Sequence, residues 1–460
     1  MEVLEIIGLA LMMFAPIVWR VWKGRNDPGP EPPDDPPLYT IAAAACGLTV
    51  RAAGGRRGRR TLHAASGNLS VRLEQRERGA EEDTRQFETV IAITRAGDRM
   101  PISLRRERRG FLERDRSARE IEIGDKEFDD DFHVTGPHTF VRALLDAPTR
   151  RLLRTLLLEV DLDVDRGDLS GALPVTTGWA MHERTLAHML GLMIDAARRL
   201  ERPPDVARRL ADNARLDPLP EVRLQNLLTL MREYPERPAT DEALGAACGD
   251  TSDWIRVRAA TALGERGRTT LFEVALRDPP DDAATAQAIA VLGDRLTPDR
   301  VRGILGRALR ARQPGTARAC LAALGSRGGT EAVEEIARVM SVEKGDLAVA
   351  AADALGATDS PTAEPRLLAA LHGDRDLRIA AARALGRVGS AAAVGALKEA
   401  EAQAREADFS RVARQAIAEI QARLPGASPG QLSLATGAAG TLSLAEDERG
   451  RLSLKDAPPR

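Results

Sequence analysis

A phrase of small residues that closes with Leu-Gly recurs between Val222 and Arg423, and it constrains the fold more than any other feature. Its first clear copy reads Arg256-Val-Arg-Ala-Ala-Thr-Ala-Leu-Gly264. The closing glycines of successive copies are 29, 32, 31 and 30 residues apart. A period of this size is typical of solenoids, because one short helix pair cannot bury its apolar face and stacks on its neighbours. The sequence therefore predicts a mainly α chain that ends in an α/α superhelical solenoid over residues 216–424.

The composition narrows the classes of partner. The 66 basic and 68 acidic residues nearly balance, so the chain as a whole implies no polyanionic partner. Eight Phe, four Trp and two Tyr are too few for base-stacking platforms, and no helix-turn-helix pattern occurs, so nucleic acid is not expected. Three cysteines (Cys46, Cys248 and Cys320) with no Cys-x-x-Cys pair argue against a disulfide framework and for a reducing compartment.

The most apolar stretch is Val3–Trp22, and about 20 helical residues cross a bilayer. A core helix or a signal-peptide segment must also be considered, because Pro16 interrupts the stretch. Acidic residues precede it and Lys23 and Arg25 follow it, a distribution that places the following chain on the cytoplasmic side. The prediction is a single-pass inner-membrane anchor over residues 1–25, with the bulk of the chain cytoplasmic. Residues 26–37 are rich in proline and predict an extended spacer.

The period changes over residues 38–203, where short runs alternate or are apolar throughout, as strands do. Apolar positions at helical spacing then predict helices over about 140–158 and 181–200. The whole is expected to be an α+β domain with a mainly antiparallel sheet. The predicted strands are Leu69–Leu73, Val90–Thr94, Ile102–Leu104, Ile121–Ile123, Val160–Val164 and Asp168–Ala172.

A segment of this domain, Ile123-Gly-Asp-Lys-Glu-Phe-Asp-Asp-Asp-Phe-His-Val-Thr-Gly136, resembles the Gly-Asp-x-x-Phe-Asp signature of an uncharacterised bacterial domain. Members of that family are often membrane-anchored and are sometimes followed by HEAT repeats. Because no activity is established for the family, the resemblance implies an architecture and no catalytic residue.

The same segment offers a candidate metal site, since carboxylate and imidazole ligands suit several divalent ions. Its members would be Asp129, Asp130, Asp131, His133 and His138. If the segment is a strand, however, consecutive side chains point to opposite faces and cannot converge. The simpler interpretation is that the two phenylalanines of the segment pack inward while the carboxylates stay solvated, and no metal or cofactor is predicted.

Basic residues concentrate in the first half of this domain. The densest cluster, Arg56-Arg57-Gly-Arg59-Arg60, could contact anionic lipid if the domain lies near a membrane. The alternative is a solvated turn whose charges are balanced by the acidic half of the domain, residues 120–168.

The repeated phrase resembles HEAT repeats of the short type found in phycobilin lyases, most closely at Asp253-Trp-Ile-Arg256 and Asp374-Arg-Asp376-Leu-Arg378. With an atypical first unit near Val222–Met231 and a last one near Val412–Ile420, the sequence holds about seven units. Aspartates would cap the Ala-rich helices, arginines would bridge repeats, and each glycine would end its helix in a left-handed conformation. The predicted structural positions are Asp253, Arg256, Leu263, Gly264, Gly293, Gly325, Gly356, Asp374, Asp376, Arg378, Leu385 and Gly386.

After the solenoid, residues 425–460 carry a second repeat, Gly-x-Leu-Ser-Leu, which begins at Gly430, Gly440 and Gly450. A low-complexity tail and three copies of a peptide that adds a strand to a partner's sheet edge explain this pattern equally well.

The function expected from these features is that of a membrane-tethered, non-catalytic scaffold or adaptor that binds a protein through its HEAT surface. No Walker loop, Gly-x-Ser-x-Gly, His-Glu-x-x-His or paired cysteine motif occurs in the sequence. A bilin-lyase-like enzyme or chaperone and a structural component of an envelope assembly are the alternatives. The repeats alone do not identify the partner, because the same fold serves many functions.

Overall fold

The chain forms two compact units, Met1–Ala247 and Cys248–Arg460. The predicted anchor (1–25), nearly all of the spacer (26–37) and the tail (425–460) lie outside the residues that the structure describes. None of the described helices has the length and apolar character that a membrane crossing requires. A computed structural model of the chain describes residues 37–423 except 57–58, 82–83, 98–99, 107–119, 174–175, 178–182 and 279.

In the described part of the first unit, nine strands form one antiparallel sheet. They are β1 (Thr49–Arg56), β2 (Arg59–Ser66), β3 (Leu69–Glu81), β4 (Thr84–Arg95), β5 (Ser103–Arg106), β6 (Phe132–Thr135), β7 (Asp161–Asp165), β8 (Asp168–Ala172) and β9 (Thr176–Thr177). Their order is β1-β2-β3-β4-β8-β7-β5-β6, with β9 paired to β4. The predicted antiparallel sheet is confirmed.

Helices cover this sheet and complete the first unit. They are α1 (Pro37–Ala45), α2 (Lys126–Asp131), α3 (His138–Leu144), α4 (Ala147–Glu159), α5 (Glu183–Arg199), α6 (Val206–Leu216), α7 (Pro220–Glu233) and α8 (Pro238–Ala247). Side chains alternate along β3, so that Leu69, Val71 and Leu73 are buried while Ser70 and Arg72 are exposed. Helices α1 and α5 pack on each other, and α5 also contacts β4 and β8. The alternation therefore supplies the apolar face against which the helices are held.

The single helix predicted over 140–158 is wrong, because the chain breaks there into α3 and α4. The Asp146 carboxylate accepts a hydrogen bond of 2.9 Å from the backbone N–H of Thr149 and so caps α4. Pro148 lies at the start of that helix, where its missing N–H costs nothing. The predicted strand Ile121–Ile123 is also not a regular strand, although the N–H of Ile121 donates to the carbonyl oxygen of Val134 on β6.

The described part of the second unit is helical. Its helices are α9 (Asp253–Leu263), α10 (Arg268–Leu276), α11 (Asp282–Leu292), α12 (Pro298–Arg310), α13 (Pro314–Arg327), α14 (Thr330–Val342), α15 (Asp346–Leu355), α16 (Glu364–Ala370), α17 (Arg375–Val388), α18 (Ala391–Gln403) and α19 (Ala407–Arg423).

These helices stack in a regular order. The helices that carry the repeated phrase (α9, α11, α13, α15 and α17) each contact the next in the series, and α17 contacts α19. The intervening helices α10, α12, α14, α16 and α18 each pack on the helix that follows them. The second unit is therefore a stack of helix pairs with one continuous apolar core.

The segment predicted as the first, atypical repeat lies in α7. This helix packs on α3 and α6 within the first unit. Its buried side chains, which include Val222, Leu227 and Leu230, therefore contribute to the packing of the first unit.

Candidate functional site

Three of the five repeat glycines lie against the next helix of the stack, whereas Gly264 and Gly293 have nothing within 4 Å of a Cβ. Within each contacting pair, a Cβ on the glycine would lie only 2.6–3.1 Å from the backbone of an alanine on the next helix of the stack. Real Cβ atoms essentially never approach a neighbour more closely than 3.0 Å, so glycine allows the close contact. The pairs are Gly325 with Ala354, Gly356 with Ala384, and Gly386 with Ala416.

The prediction that every repeat glycine ends its helix in a left-handed conformation is wrong for these three positions. Gly325 and Gly386 lie inside α13 and α17, and Gly356 follows α15 with a helical φ of −68°. Only Gly264 and Gly293, among the five, follow their helices with positive φ, of 59° and 50°. The physical reason is that the packing of neighbouring helices, and not helix termination, requires the absence of a side chain at the later copies.

The leucines that precede these glycines differ in burial. Leu263 is half-buried, whereas Leu385 is fully buried in the core of the second unit.

A second recurring contact joins arginines to the helix ends of the preceding repeat. The Arg327 guanidinium donates to the carbonyl oxygen of Gly293 at 3.2 Å, and Arg387 donates to that of Asp353 at 3.2 Å. Each donor lies 34 residues after its acceptor. A cation at these positions also interacts favourably with the negative end of the helix dipole. No motif named above includes these arginines, although Arg327 lies two residues after Gly325 and Arg387 one residue after Gly386.

The same relation closes the stack at α19. The Arg423 guanidinium donates to the carbonyl oxygens of Gly386 and Gly389, the latter at 3.0 Å. These carbonyls lie at the end of α17, where helix carbonyls lack partners within the helix, so α19 supplies donors to the preceding helix of the stack.

The prediction that Asp253 caps its helix is wrong, because Ser252 is the capping residue and the Asp253 carboxylate instead belongs to one cluster of ion pairs with Arg256, the predicted bridge. Asp253 is the first residue of α9, and its carboxylate accepts from Arg256 at 3.3 Å and from Arg277 after α10. Arg256 also donates to the Glu273 carboxylate on α10 and to the carbonyl oxygen of Cys248. The cluster ties α9 to α10.

At the other end of the stack, Asp374 caps α17 by accepting from the backbone N–H of Leu377 at 2.9 Å. Asp376 lies in the first turn of the same helix and is exposed. The Arg378 guanidinium lies 4.7 Å from the ring centroid of Phe409 on α19. This cation–π contact links α17 to the next helix of the stack.

Asp282 supplies a cap across repeats that the sequence analysis did not identify. Its carboxylate on α11 accepts from the backbone N–H groups of Gly315 at 2.9 Å and Thr316 at 2.6 Å, at the start of α13. Gln313, the capping residue of α13 itself, makes no side-chain cap. Burial of the Asp282 carboxyl opposes its ionisation, but the hydrogen bonds outweigh burial and lower the pKa below its ordinary value.

In the first unit, a buried arginine forms an ion pair with the segment that carries the Gly-Asp signature. Arg150 is 2% exposed and pairs with Asp125 at 2.7 Å and with Asp217 at 2.9 Å. A second guanidinium nitrogen reaches the other carboxylate oxygen of Asp217 at 3.1 Å, and a further bond goes to the carbonyl oxygen of Leu145. The side chain is bonded on all sides, so its geometry supports a structural role.

Asp125 joins the signature to this arginine. Asp125 caps α2 by accepting from the N–H of Phe128, whose ring lies 4.8 Å from that of buried Phe132. Gly124 has a φ of +96°, and a Cβ there would lie 3.2 Å from the backbone of Glu221. The signature therefore builds a tight turn on a buried ion-pair network.

The three aspartates once considered as metal ligands lie on helix α2 and at its end, and not on a strand. Asp129 accepts from the N–H groups of Ile123 and Gly124, and burial raises its pKa despite these bonds. Asp130 pairs with Lys126 and Asp131 with Arg154, at 2.7 and 2.8 Å. Each carboxylate has its own donor.

The inward packing of Phe128 and Phe132 is as expected. Of the three acids expected to be solvated, only Asp130 is exposed, whereas Asp129 and Asp131 are half-buried. Across the described residues, no group of three or more His, Cys, Asp or Glu side chains is arranged to hold a metal ion.

An open groove of ≈ 1260 Å³ lies over the Arg150 network. Both signs of charge line it, for example Arg151 and Arg215 with Asp212 and Glu221. The groove therefore has no dominant sign that would select an anion or a cation.

The arginines predicted to contact lipid lie at the end of the β1–β2 hairpin. The backbone of Arg56 pairs with that of Arg59, and Arg60 is half-buried on β2. Arg57 lies outside the described residues, and lipid contact stays a prediction.

No protein-family model and no curated protein matches the chain. Among solved structures, human deoxyhypusine hydroxylase in complex with glycerol is similar over 47% of this chain and 98% of that chain, at 18% identity and a TM-score of 0.21. A TM-score this low carries no argument about the fold or activity of this chain.

Proposed function

We propose that the chain is a membrane-tethered, non-catalytic scaffold that binds a protein partner through the surface of its helix pairs, which we take to be HEAT repeats. The observation that carries the proposal is the set of contacts from one repeat to the next, such as Gly356 on Ala384, Arg327 on Gly293 and Asp282 on α13. These contacts fix the spacing of successive helices. Exposed side chains of several repeats therefore form one rigid surface, which is what a scaffold needs.

The first unit supports the non-catalytic part of the proposal. Its buried guanidinium group, Arg150, is bonded to Asp125, Asp217 and a backbone carbonyl. A reactive group needs an open position toward a substrate, and this guanidinium has none. In this proposal the segment 1–25 anchors the chain in the inner membrane, and the proline-rich spacer holds the two units at the cytoplasmic face.

A photo-crosslinking scan tests the proposal in the cell. A photoreactive amino acid replaces one exposed residue at a time on the second unit, at Gly303, Glu334, Arg366 and Gly395. Exposed residues of the first unit, His63 and Thr155, are the matched controls. We expect one protein to be captured from a contiguous set of positions on the second unit. Capture from the first unit alone, or from no position, contradicts the proposal.

The crosslinking variants and the purified chain also distinguish the two alternative functions. Adducts between two copies of this chain would favour a structural role in an envelope assembly. A shift in the absorption spectrum of a bilin on mixing with the purified chain would favour a lyase-like enzyme or chaperone.

A further inference from the structure

The turn between α12 and α13 carries a cluster of arginines. We define the arginine cluster as Arg307, Arg310, Arg312 and Arg318, which fall within twelve residues of sequence. Arg310, Arg312 and Arg318 are exposed, and Arg307 is half-buried. Among the described residues, none of the four guanidinium groups makes a hydrogen bond or an ion pair, although Arg318 lies near enough to Asp282 to help lower the pKa of that carboxyl. Arg302 on the same α12, in contrast, pairs with Asp299 and Glu331.

Arg312 occupies a backbone position that disfavours it. Its φ is +55°, in the left-handed region. Its N–H donates to the carbonyl oxygen of Leu309 and that of Gln313 donates to Ala308, the two bonds of a Schellman helix ending. Glycine is the residue that this position prefers, because it has no Cβ to clash with the backbone. Strain of this kind persists where a side chain serves another purpose.

The helix dipole accounts for only part of the cluster. Arg307 and Arg310 lie in the last turn of α12, where cations are favoured. Arg318 lies in the second turn of α13, toward the end of the helix that favours anions, and Arg312 lies between the helices. The helix dipole therefore does not explain why four cations gather at this turn, although Arg318 favours the ionised Asp282 carboxylate that caps α13.

The cluster lies in a basic stretch, residues 298–327, which we call the basic island. Residues 298–327, which contain α12 and α13, hold seven arginines and one aspartate. The preceding pair, residues 268–292, holds four acidic and two basic residues, and the following pair, residues 330–355, holds six acidic and two basic residues. Arg307 and Arg310 are separated by about 4.5 Å along the axis of α12. A ligand that extends far beyond the island meets carboxylates on both sides.

We propose that the arginine cluster docks a short acidic segment of the partner protein, through guanidinium–carboxylate pairs. This inference rests on the proposed scaffold function and specifies the partner's chemistry. Arginine guanidinium groups match carboxylates in a planar, two-bond geometry. A short segment is confined to the island, whereas a nucleic acid backbone or a membrane plane would extend over the acidic pairs beside it and be repelled.

The test measures binding of a fluorescein-labelled deca-glutamate peptide to the purified full chain by fluorescence anisotropy. The variant Arg310→Glu/Arg312→Glu/Arg318→Glu is expected to weaken binding about tenfold or more, because attraction becomes repulsion at three positions. The control Arg366→Glu/Arg405→Glu/Arg411→Glu reverses three exposed arginines outside the island and is expected to change binding less than about twofold. Equal losses in both variants overturn the proposal.

A second variant separates binding from folding. Arg312→Gly relieves the left-handed strain, so the melting temperature is expected to rise while peptide binding falls. A rise in stability with unchanged binding overturns the role of Arg312.

Competition identifies the class of ligand. Single-stranded DNA and vesicles containing phosphatidylglycerol are each added to the chain–peptide complex, and the peptide is expected to stay bound at equal charge concentration. If either competitor binds more tightly than the peptide, and does so through the cluster, the acidic-segment proposal is wrong.

The experiments distinguish failure of the acidic-segment proposal from failure of the scaffold proposal. Crosslinks to a partner from other faces of the second unit, together with no peptide binding, would leave the scaffold in place and remove the docking site.

Discussion

Gly356 lies against Ala384 so closely that a Cβ on the glycine would come within 2.7 Å of the alanine Cα. The two residues belong to successive phrase-bearing helices, α15 and α17. Similar pairs recur at Gly325 with Ala354 and at Gly386 with Ala416. At these three copies the repeated phrase therefore sets the distance between successive helices, in addition to forming them.

The first prediction is that Gly356→Ala destabilises the second unit. Its backbone is helical, so the added methyl group causes overpacking without backbone strain, at a cost of about 1–3 kcal/mol. Gly395→Ala is the matched control, because Gly395 lies in α18 with nothing within 4 Å of a Cβ. That change is expected to stabilise by about 0.5–1 kcal/mol. Urea unfolding measures both, and equal stabilisation by the two substitutions would falsify the account of the glycines.

The second prediction concerns the ion-pair network of the first unit. Arg150→Met leaves the Asp125 and Asp217 carboxylates without their shared cation, and Asp217 is 1% exposed. Breaking a buried pair in this way costs about 3–5 kcal/mol. Arg154→Ala, which removes a 36% exposed partner of Glu127 and Asp131, is expected to cost less than about 1 kcal/mol.

Hydrogen–deuterium exchange of the 145–159 region provides the local measurement for these variants. We expect exchange to accelerate strongly in the Arg150 variant and little in the Arg154 variant. Similar exchange in both variants contradicts the assignment of Arg150 as the centre of the network.

The third prediction is a pH dependence that arises from Asp282. Its pKa is lowered in the folded chain, so its bonds to Gly315 and Thr316 stabilise the fold above the unfolded pKa of about 3.9. This contribution is lost as the pH falls through the folded pKa. Asp282→Asn is expected to lower stability by about 1–3 kcal/mol at neutral pH, since hydrogen bonds to a charged group are the stronger kind.

Thermal melts between pH 3 and pH 7 measure this effect. The difference in melting temperature between the unchanged chain and Asp282→Asn should stay constant from pH 7 to about pH 5 and shrink below about pH 4. A difference that grows on acidification reverses the expected sign.

The fourth prediction concerns the reactivity of Cys320. Burial raises the pKa of this thiol to about 12, so little thiolate forms at pH 8. Iodoacetamide is expected to leave Cys320 unmodified in the folded chain and to modify it after denaturation, as read by mass spectrometry. Half-buried Cys248 is the internal comparison. Faster labelling of Cys320 than of Cys248 in the folded chain would show that the helix stack opens readily.

The periodicity of the sequence predicted the helical second unit, and the alternation of Leu69, Val71 and Leu73 predicted the sheet of the first. Local signals for the break between α3 and α4 were also present, in Asp146 and Pro148, but the apolar spacing across them favoured one helix. The three adjacent aspartates illustrate a different difficulty. Their segment is too short for its period to distinguish a helix from a strand.

The contacts that organise the candidate surfaces are long-range, and one sequence contains little evidence of them. Arg150 and Asp217 are 67 residues apart, and neither lies in a recognisable motif. The recurring arginines offered a better signal, because Arg327 and Arg387 follow their glycines closely. The strained backbone of Arg312 is visible only in the structure, since arginine itself gives no indication of positive φ.

The most direct test of the central claim is photo-crosslinking in the cell from Ala311, an exposed residue between Arg310 and Arg312. The scaffold account predicts that one partner protein is captured, and the docking proposal predicts that an acidic segment of this partner makes the contact. It also predicts that Arg310→Glu/Arg312→Glu/Arg318→Glu abolishes this adduct, while Arg366→Glu/Arg405→Glu/Arg411→Glu leaves it intact. An adduct that survives reversal of the arginine cluster contradicts the docking site, and no protein adduct from Ala311 or any other exposed position of the second unit contradicts the scaffold.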